Sequence, residues 1–267
     1  MGMRKWPRPL LQLGTCINGQ AVLSTLLPVM ILLGIWALLS ASGLFPRDIL
    51  VPPLVVLNTL IAEAASGELA QQVGSSLGRL FAGYALGVLV GLALGAAMGL
   101  SLTLKAYFYP LFQFARQVPS LALIPVFILF FGIGQLVEII LVAKVVTLTV
   151  ALATLEGVAG IRGTWRDVAA LYEVRGFRLL CNVIFPASVP SIMTGLRIAL
   201  ARAWMVLVAV ELMISDKGIG QMLEWGRQVF RVDIVLGGVV LVGVIGFVLD
   251  RLIRLLEQTI LRYGHLA

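Results

Sequence analysis

Residues Leu77–Leu100 read LGRLFAGYALGVLVGLALGAAMGL. A bilayer core about 30 Å thick takes about 20 helical residues per crossing, so this predominantly apolar run of 24 predicts a membrane span. Within it Gly83, Gly87, Gly91, Gly95 and Gly99 recur every fourth residue. Four residues turn a helix by about 400°, so the row drifts by about 40° per step and winds as a ridge suited to a tilted crossing. Lacking side chains, such a row lets another helix approach closely where lipid offers no competing hydrophobic drive. Helix packing is one use of the ridge, and a ligand path along the groove is the other.

The rest of the chain has the same character. Of 267 residues 60% are apolar by type and only 12% are charged, and the mean hydropathy is +1.03. These values exclude an ordinary soluble domain and leave room for six crossings with their loops. Working outward, further spans are predicted at about Ala21–Leu39, Tyr109–Phe131, Glu138–Val158, Ser191–Ile214 and Asp233–Leu252. Arg116, Pro119 and Pro125 should bend the span at Tyr109–Phe131 or leave its first part lying at the interface. The fold class is therefore all-α and polytopic, with about six transmembrane helices. Residues 1–20 form an amino-terminal segment, 21–257 the transmembrane domain with a long polar loop at about 159–190, and 258–267 a tail. The first apolar run exceeds a signal-peptide core, so it is expected to remain as a span.

Twenty Lys and Arg against thirteen acids give a net charge of +7. With six spans and the amino terminus inside, eleven of the twenty fall on the cytoplasmic side: Arg4, Lys5, Arg8, Lys105, Arg162, Arg166, Arg175, Arg178, Arg251, Arg254 and Arg262. Only Arg47, Lys217, Arg227 and Arg231 fall outside, and five lie in or at the edges of spans. That bias predicts both termini in the cytoplasm and makes the positive charge an orientation signal, with no nucleic-acid footprint.

Counting also removes chemistries. The one histidine, His265, excludes His-based triads and multi-histidine metal sites. None of Lys5, Lys105, Lys144 and Lys217 is followed by Ser or Thr, so no Walker A loop is present. Cys16 and Cys181 both fall on the reducing side, where no disulfide is expected. No catalytic residue and no metal site is predicted.

Ionisable groups at membrane depth are costly and point to function. Arg116, Lys144 and Arg202 are the candidates for a translocation path, and Glu138, Glu156 and Glu211 lie at similar depth. Arg202 and Glu211 are nine residues apart, about 180° around one helix, so they cannot pair with each other. For Arg202 the alternatives are path lining, an interhelical ion pair, or a position from which it snorkels. The loop at 159–190 alternates Val168, Leu171, Val174 and Phe177 with charged positions, which would give a helix an apolar strip to show a soluble partner; a solvated basic loop on headgroups is the alternative.

That loop resembles the signature of the inner-membrane permeases of binding-protein-dependent ABC importers, in the branch serving sulfonates, taurine and nitrate. The signature reads Glu-Ala-Ala, three residues, Gly, nine residues, Ile, one residue, Leu-Pro. Placed on Pro186, it falls on Asp167, Val168 and Ala169, with Val183 and Phe185 at the later apolar positions. Glu173 stands at the glycine position and Gly176 follows three residues later. Leu50-Val-Pro-Pro53, Gln117-Val-Pro-Ser-Leu-Ala-Leu-Ile-Pro125, Phe131-Gly-Ile-Gly, Thr194-Gly-Leu-Arg197, Ala201-Arg-Ala-Trp204, Glu211 and Lys217-Gly-Ile-Gly220 are similar to the same branch. The resemblance implies a type I importer permease fold in a bacterial inner membrane, working as a homodimer. Two ATPase subunits would carry the ATP and Mg, and a periplasmic binding protein would deliver a small, often anionic solute. It also implies an ATPase-docking loop at Asp167, Val168, Ala169, Leu171, Glu173, Gly176, Phe177 and Pro186. A channel or secondary transporter without an ATPase, and an intramembrane enzyme using a lone acid, are the rival classes.

Overall fold

A computed structural model describes residues 19–44, 46, 49–161 and 176–264. The chain divides into two compact units at Val55. In the first, α1 (Gly19–Ala41) is followed by an irregular stretch whose Val51 carbonyl accepts a 3.0 Å hydrogen bond from Trp36 Nε1.

The second unit holds most of α2 (Pro53–Ser66) and all of α3 (Glu68–Leu100), α4 (Leu102–Gln117), α5 (Ile124–Phe131), α6 (Gln135–Ala159), α7 (Phe185–Ile214), α8 (Ile219–Gln228) and α9 (Val232–Gly264). Gly67, at φ 84°, ends α2 in a left-handed conformation, and α3 starts at once. α3 is therefore longer than the predicted span and carries Glu68–Ser76 as a polar first section. α9 also continues past its predicted end, so the tail is a helical extension as far as Gly264. A short helical run, Gly176–Leu179, leads through a π turn at Leu180–Ile184 into α7, which places helix inside the predicted polar loop.

Among the described residues α3, α6 and α9 are long and apolar enough to cross a membrane, and counting each of two bent pairs as one span gives up to five. The first bent pair, Leu102–Gln117 with Ser120–Phe131, is the segment that Arg116, Pro119 and Pro125 are expected to bend. α4 stops at Val118, which the following proline holds extended at φ −76° and ψ 113°. A 3₁₀ turn at Ser120–Leu123 then leads into α5, and the axis swings by 91°. Pro119 supplies no N–H to continue α4, so the break is built into the sequence. α4 also begins at Leu102, seven residues before the predicted span, where Ser101 Oγ accepts from the Leu104 N–H and caps it.

The glycine ridge packs on α6. An added Cβ at Gly83, Gly87, Gly91, Gly95 or Gly99 would lie 2.8, 2.6, 2.9, 2.6 or 2.8 Å from Cβ of Val142, Val146, Val150, Thr154 or Val158 respectively. Each rung is offset by 59 residues, and both numbers rise together, so α3 and α6 run parallel. Two parallel helices oblige the chain between them to return along their length, and α4, the 3₁₀ turn and α5 are that return. α7 then runs antiparallel to α6, with Gly157 against Ser188 and Ser191 and Gly195 against Ala153. The core lies where α3, α6, α7 and α9 meet, around Leu80, Val146, Ala199, Ala203, Trp204, Leu207 and Leu249.

Candidate functional site

The three candidate path cations come from three elements and line one connected hollow. Arg116 stands in the last turn of α4, Lys144 in the first half of α6 and Arg202 in the middle of α7. A cavity of about 330 Å³ is walled by all three, with Gln113, Val118, Ser120 and Thr149 among its lining. An adjoining cavity of about 420 Å³ shares Arg116, Thr149 and Arg202 and adds Glu156, Ser191 and Thr194. The break after α4 positions the first of these. Lys144 Nζ crosses to it and donates to the Val118 carbonyl at 2.6 Å and to Ser120 Oγ at 3.4 Å. Arg116 is held by a 2.9 Å bond to Gln113 Oε1 and lies 5.9 Å from the centre of the Phe112 ring.

Among the described residues none of the three cations has a carboxylate within 4.0 Å, whereas five other arginines do. Among the described residues the interhelical ion pair considered for Arg202 is not formed. A guanidinium in the middle of a 30-residue apolar helix cannot face hydrocarbon at small cost. The exposed face of α7 around Arg202 is therefore a costly one to turn toward lipid.

A second polar constellation lies at the end where α3 and α6 begin, and its centre is Arg79. This residue stands four before Gly83, in phase with the glycine ridge, and Glu138 stands four before Val142 on the facing helix. The ion pair Arg79 Nη1–Glu138 Oε2, at 2.8 Å, is thus the first rung of the same ladder. Arg79 Nη1 also donates to Glu211 Oε1 at 3.0 Å, to Ser215 Oγ at 2.9 Å and to the Lys217 carbonyl at 2.6 Å. Arg79, Glu138 and Glu211 are 5%, 1% and 1% exposed, so two carboxylates and one guanidinium share a site shielded from solvent.

Glu211 does a further task in the turn between α7 and α8. Its Oε2 accepts from the Gly220 N–H at 3.0 Å, and Ser76 Oγ, which donates to both carboxylate oxygens, accepts from the Ile219 N–H at 3.0 Å. The carboxylate thereby satisfies the open amino end of α8. The spacing Lys217-Gly-Ile-Gly220 follows from this. Gly218 has φ 126°, and a Cβ there would stand 2.5 Å from Glu211 Oε1; at Gly220 it would stand 2.5 Å from Glu211 Cβ. Beside this turn opens a cavity of about 620 Å³, lined by Glu63, Glu68, Gln72, Asp216, Lys217 and Trp225.

Sequence reading named Glu138 and Glu211 as costly at depth, but it missed Arg79 as their partner. The available signal was its phase with the glycines. Of the predicted docking residues, Asp167, Val168, Ala169, Leu171 and Glu173 lie outside the described residues. Gly176 and Phe177 open the short helical run, and Pro186 is the exposed second residue of α7. Among the described residues no group of three or more His, Cys, Asp and Glu is placed to hold a metal ion.

Comparison with known proteins adds the lineage. Residues 83–262 match the family described as binding-protein-dependent transport system inner membrane component. The chain is 34% identical over 238 residues to the putative aliphatic sulfonates transport permease protein SsuC of Bacillus subtilis, covering 89% of this chain and 86% of that one. It is 36% identical to the protein of the same description from Escherichia coli (89% and 90% covered) and 31% identical to the taurine transport system permease protein TauC of Escherichia coli (85% and 85%). Among solved structures, an inward-facing MetNI methionine ABC transporter chain superimposes with a TM-score of 0.62 at 17% identity, over 73% of this chain and 95% of that one. That likeness speaks to the fold.

Proposed function

The chain belongs to the binding-protein-dependent transport system inner membrane components, the non-enzymatic permease subunits of ABC importers, and from that premise we propose that it conducts a small solute with an anionic headgroup, of the sulfonate, taurine, nitrate or bicarbonate kind. The observation that carries the headgroup's charge is the convergence of Arg116, Lys144 and Arg202, without ion-pair partners among the described residues, on one hollow. The names of the relatives, which speak of aliphatic sulfonates, taurine and bicarbonate, agree with it.

In this reading the solute path runs along the wall made by α4, α6 and α7. A second copy of the chain supplies the opposite wall. Two ATPase subunits, holding ATP and Mg, dock on the loop at 159–190, in a bacterial inner membrane with both termini in the cytoplasm. The end at which α3 and α6 begin then faces outward, and its polar basin meets the solute-laden binding protein. Closure of the ATPases on ATP moves the docked loops as rigid bodies and switches the access of the path.

The experiment is Leu171→Asp, which places a carboxylate in the apolar strip that would enter an ATPase groove, at a cost of about 2 kcal/mol or more to the contact. ATPase co-purification and solute uptake should be lost together while the permease itself stays folded. Normal association with normal uptake would remove the loop from the mechanism.

A further inference from the structure

A corridor for an anion needs no more than water and a few dipoles, yet this one carries three full positive charges against one carboxylate, Glu156, which lines only the larger cavity. Like charges gathered on one wall repel one another, and that cost falls when a counter-charge occupies the space between them. Lys144 is the telling member. It is half-buried, its present partners at Val118 and Ser120 are neutral oxygens, and an ammonium has three protons to donate. The chain break sets those oxygens at the cavity wall, so the ammonium is held at the edge of the 330 Å³ space and not drawn away into an ion pair.

We infer that this hollow is a resident binding site for one small oxyanion within each permease copy, with Lys144 as the principal contact and Arg116 and Arg202 as the flanking charges. The inference rests on the reading of the α4–α6–α7 wall as the solute path and goes further: the solute rests there, and selectivity is exercised inside the membrane as well as by the binding protein. The chemistry recognised is a compact oxyanion headgroup. A free solute and a lipid phosphate both present one; the enclosure on three sides by helices favours the free solute.

The test uses the permease assembled with its ATPase in nanodiscs of zwitterionic lipid, without binding protein, titrated calorimetrically with ethanesulfonate and with uncharged ethyl methyl sulfone. Saturable binding of about one ethanesulfonate per permease, with no binding of the sulfone, is expected. Lys144→Gln should weaken it about tenfold or more, and Lys144→Arg should retain most of it. Should Lys144→Gln fail to assemble, Arg202→Gln, at an exposed position, should also weaken ethanesulfonate binding. Absence of saturable binding to the wild type, equal binding of the sulfone, or an unchanged affinity in both charge-removing variants would overturn the inference. Anionic lipid added to the nanodiscs should not abolish the binding; if it does, the site is a headgroup site and the free-solute proposal fails. Failure of the ATPase to co-purify would count against the proposed function itself, whereas an intact assembly that binds no ethanesulfonate would defeat only the resident site.

Discussion

Arg79 shows how much one side chain can hold together. It gathers Glu138 from α6, Glu211 from α7 and the turn at 215–217 around a single Nη1. Removing one member of such a buried set leaves charge without compensation, so Arg79→Leu should destabilise the protein by about 3–5 kcal/mol, read as a large fall in the detergent unfolding midpoint. Arg79→Leu combined with Glu138→Leu should be less damaging than Arg79→Leu alone, because Glu211 keeps its bonds from Ser76 and Gly220; additivity of the two changes would count against a shared site. In the neighbouring turn, Gly220→Ala has to displace Glu211 or the Val208 carbonyl, which lies 2.7 Å from the added Cβ. It should cost at least as much as an ordinary overpacking change, about 1–3 kcal/mol. The acids were legible in the sequence as expensive residues. Their partner was marked only by its phase with the glycines, four residues before Gly83; which acids it meets, 59 and 132 residues away, leaves no local trace.

At the scale of the helix, the four-residue recurrence of glycine is readable from the chain, and so is the order of the spans, because apolar length and punctuation by Gly and Pro are local properties. Which helix fills the groove is not local, and the sequence leaves it open. Gly91→Leu should destabilise by about 3 kcal/mol or more, since its Cβ alone would stand 2.9 Å from both the Thr147 carbonyl oxygen and Val150 Cβ. Gly78 is the internal control. It lies on the same helix off the ridge, with open space where a Cβ would go, so Gly78→Ala should be neutral or stabilise by up to about 1 kcal/mol through helix propensity. Equal effects of Gly78→Ala and Gly91→Ala on the unfolding midpoint would show that the ladder contributes nothing beyond propensity. The convergence of Arg116, Lys144 and Arg202 was likewise hidden at this scale. They were selected one by one for their depth, and only the break at Pro119 brings α4 round to face α6 and α7.

For the whole molecule, the absent Walker A lysine sets an expectation: purified permease should hydrolyse no ATP until its ATPase subunit is added, and turnover by the isolated chain would contradict it. The parallel ladder bears on how the molecule is built. A rung of glycine on a branched side chain looks the same after a shift of one turn, so five such rungs define a spacing without defining an origin. The helices are made 59 residues apart and meet only after the chain has come back across the bilayer, when a misalignment by four residues, about 6 Å, would still seat most glycines. The Arg79–Glu138 rung is the zero mark on this vernier, because any shift parts the two charges and leaves Glu138 without its cation. A chain with both residues replaced by leucine should remain compact yet lose its unique alignment. Spin labels placed on the outer faces of α3 and α6 would then report two distance populations where the native chain gives one.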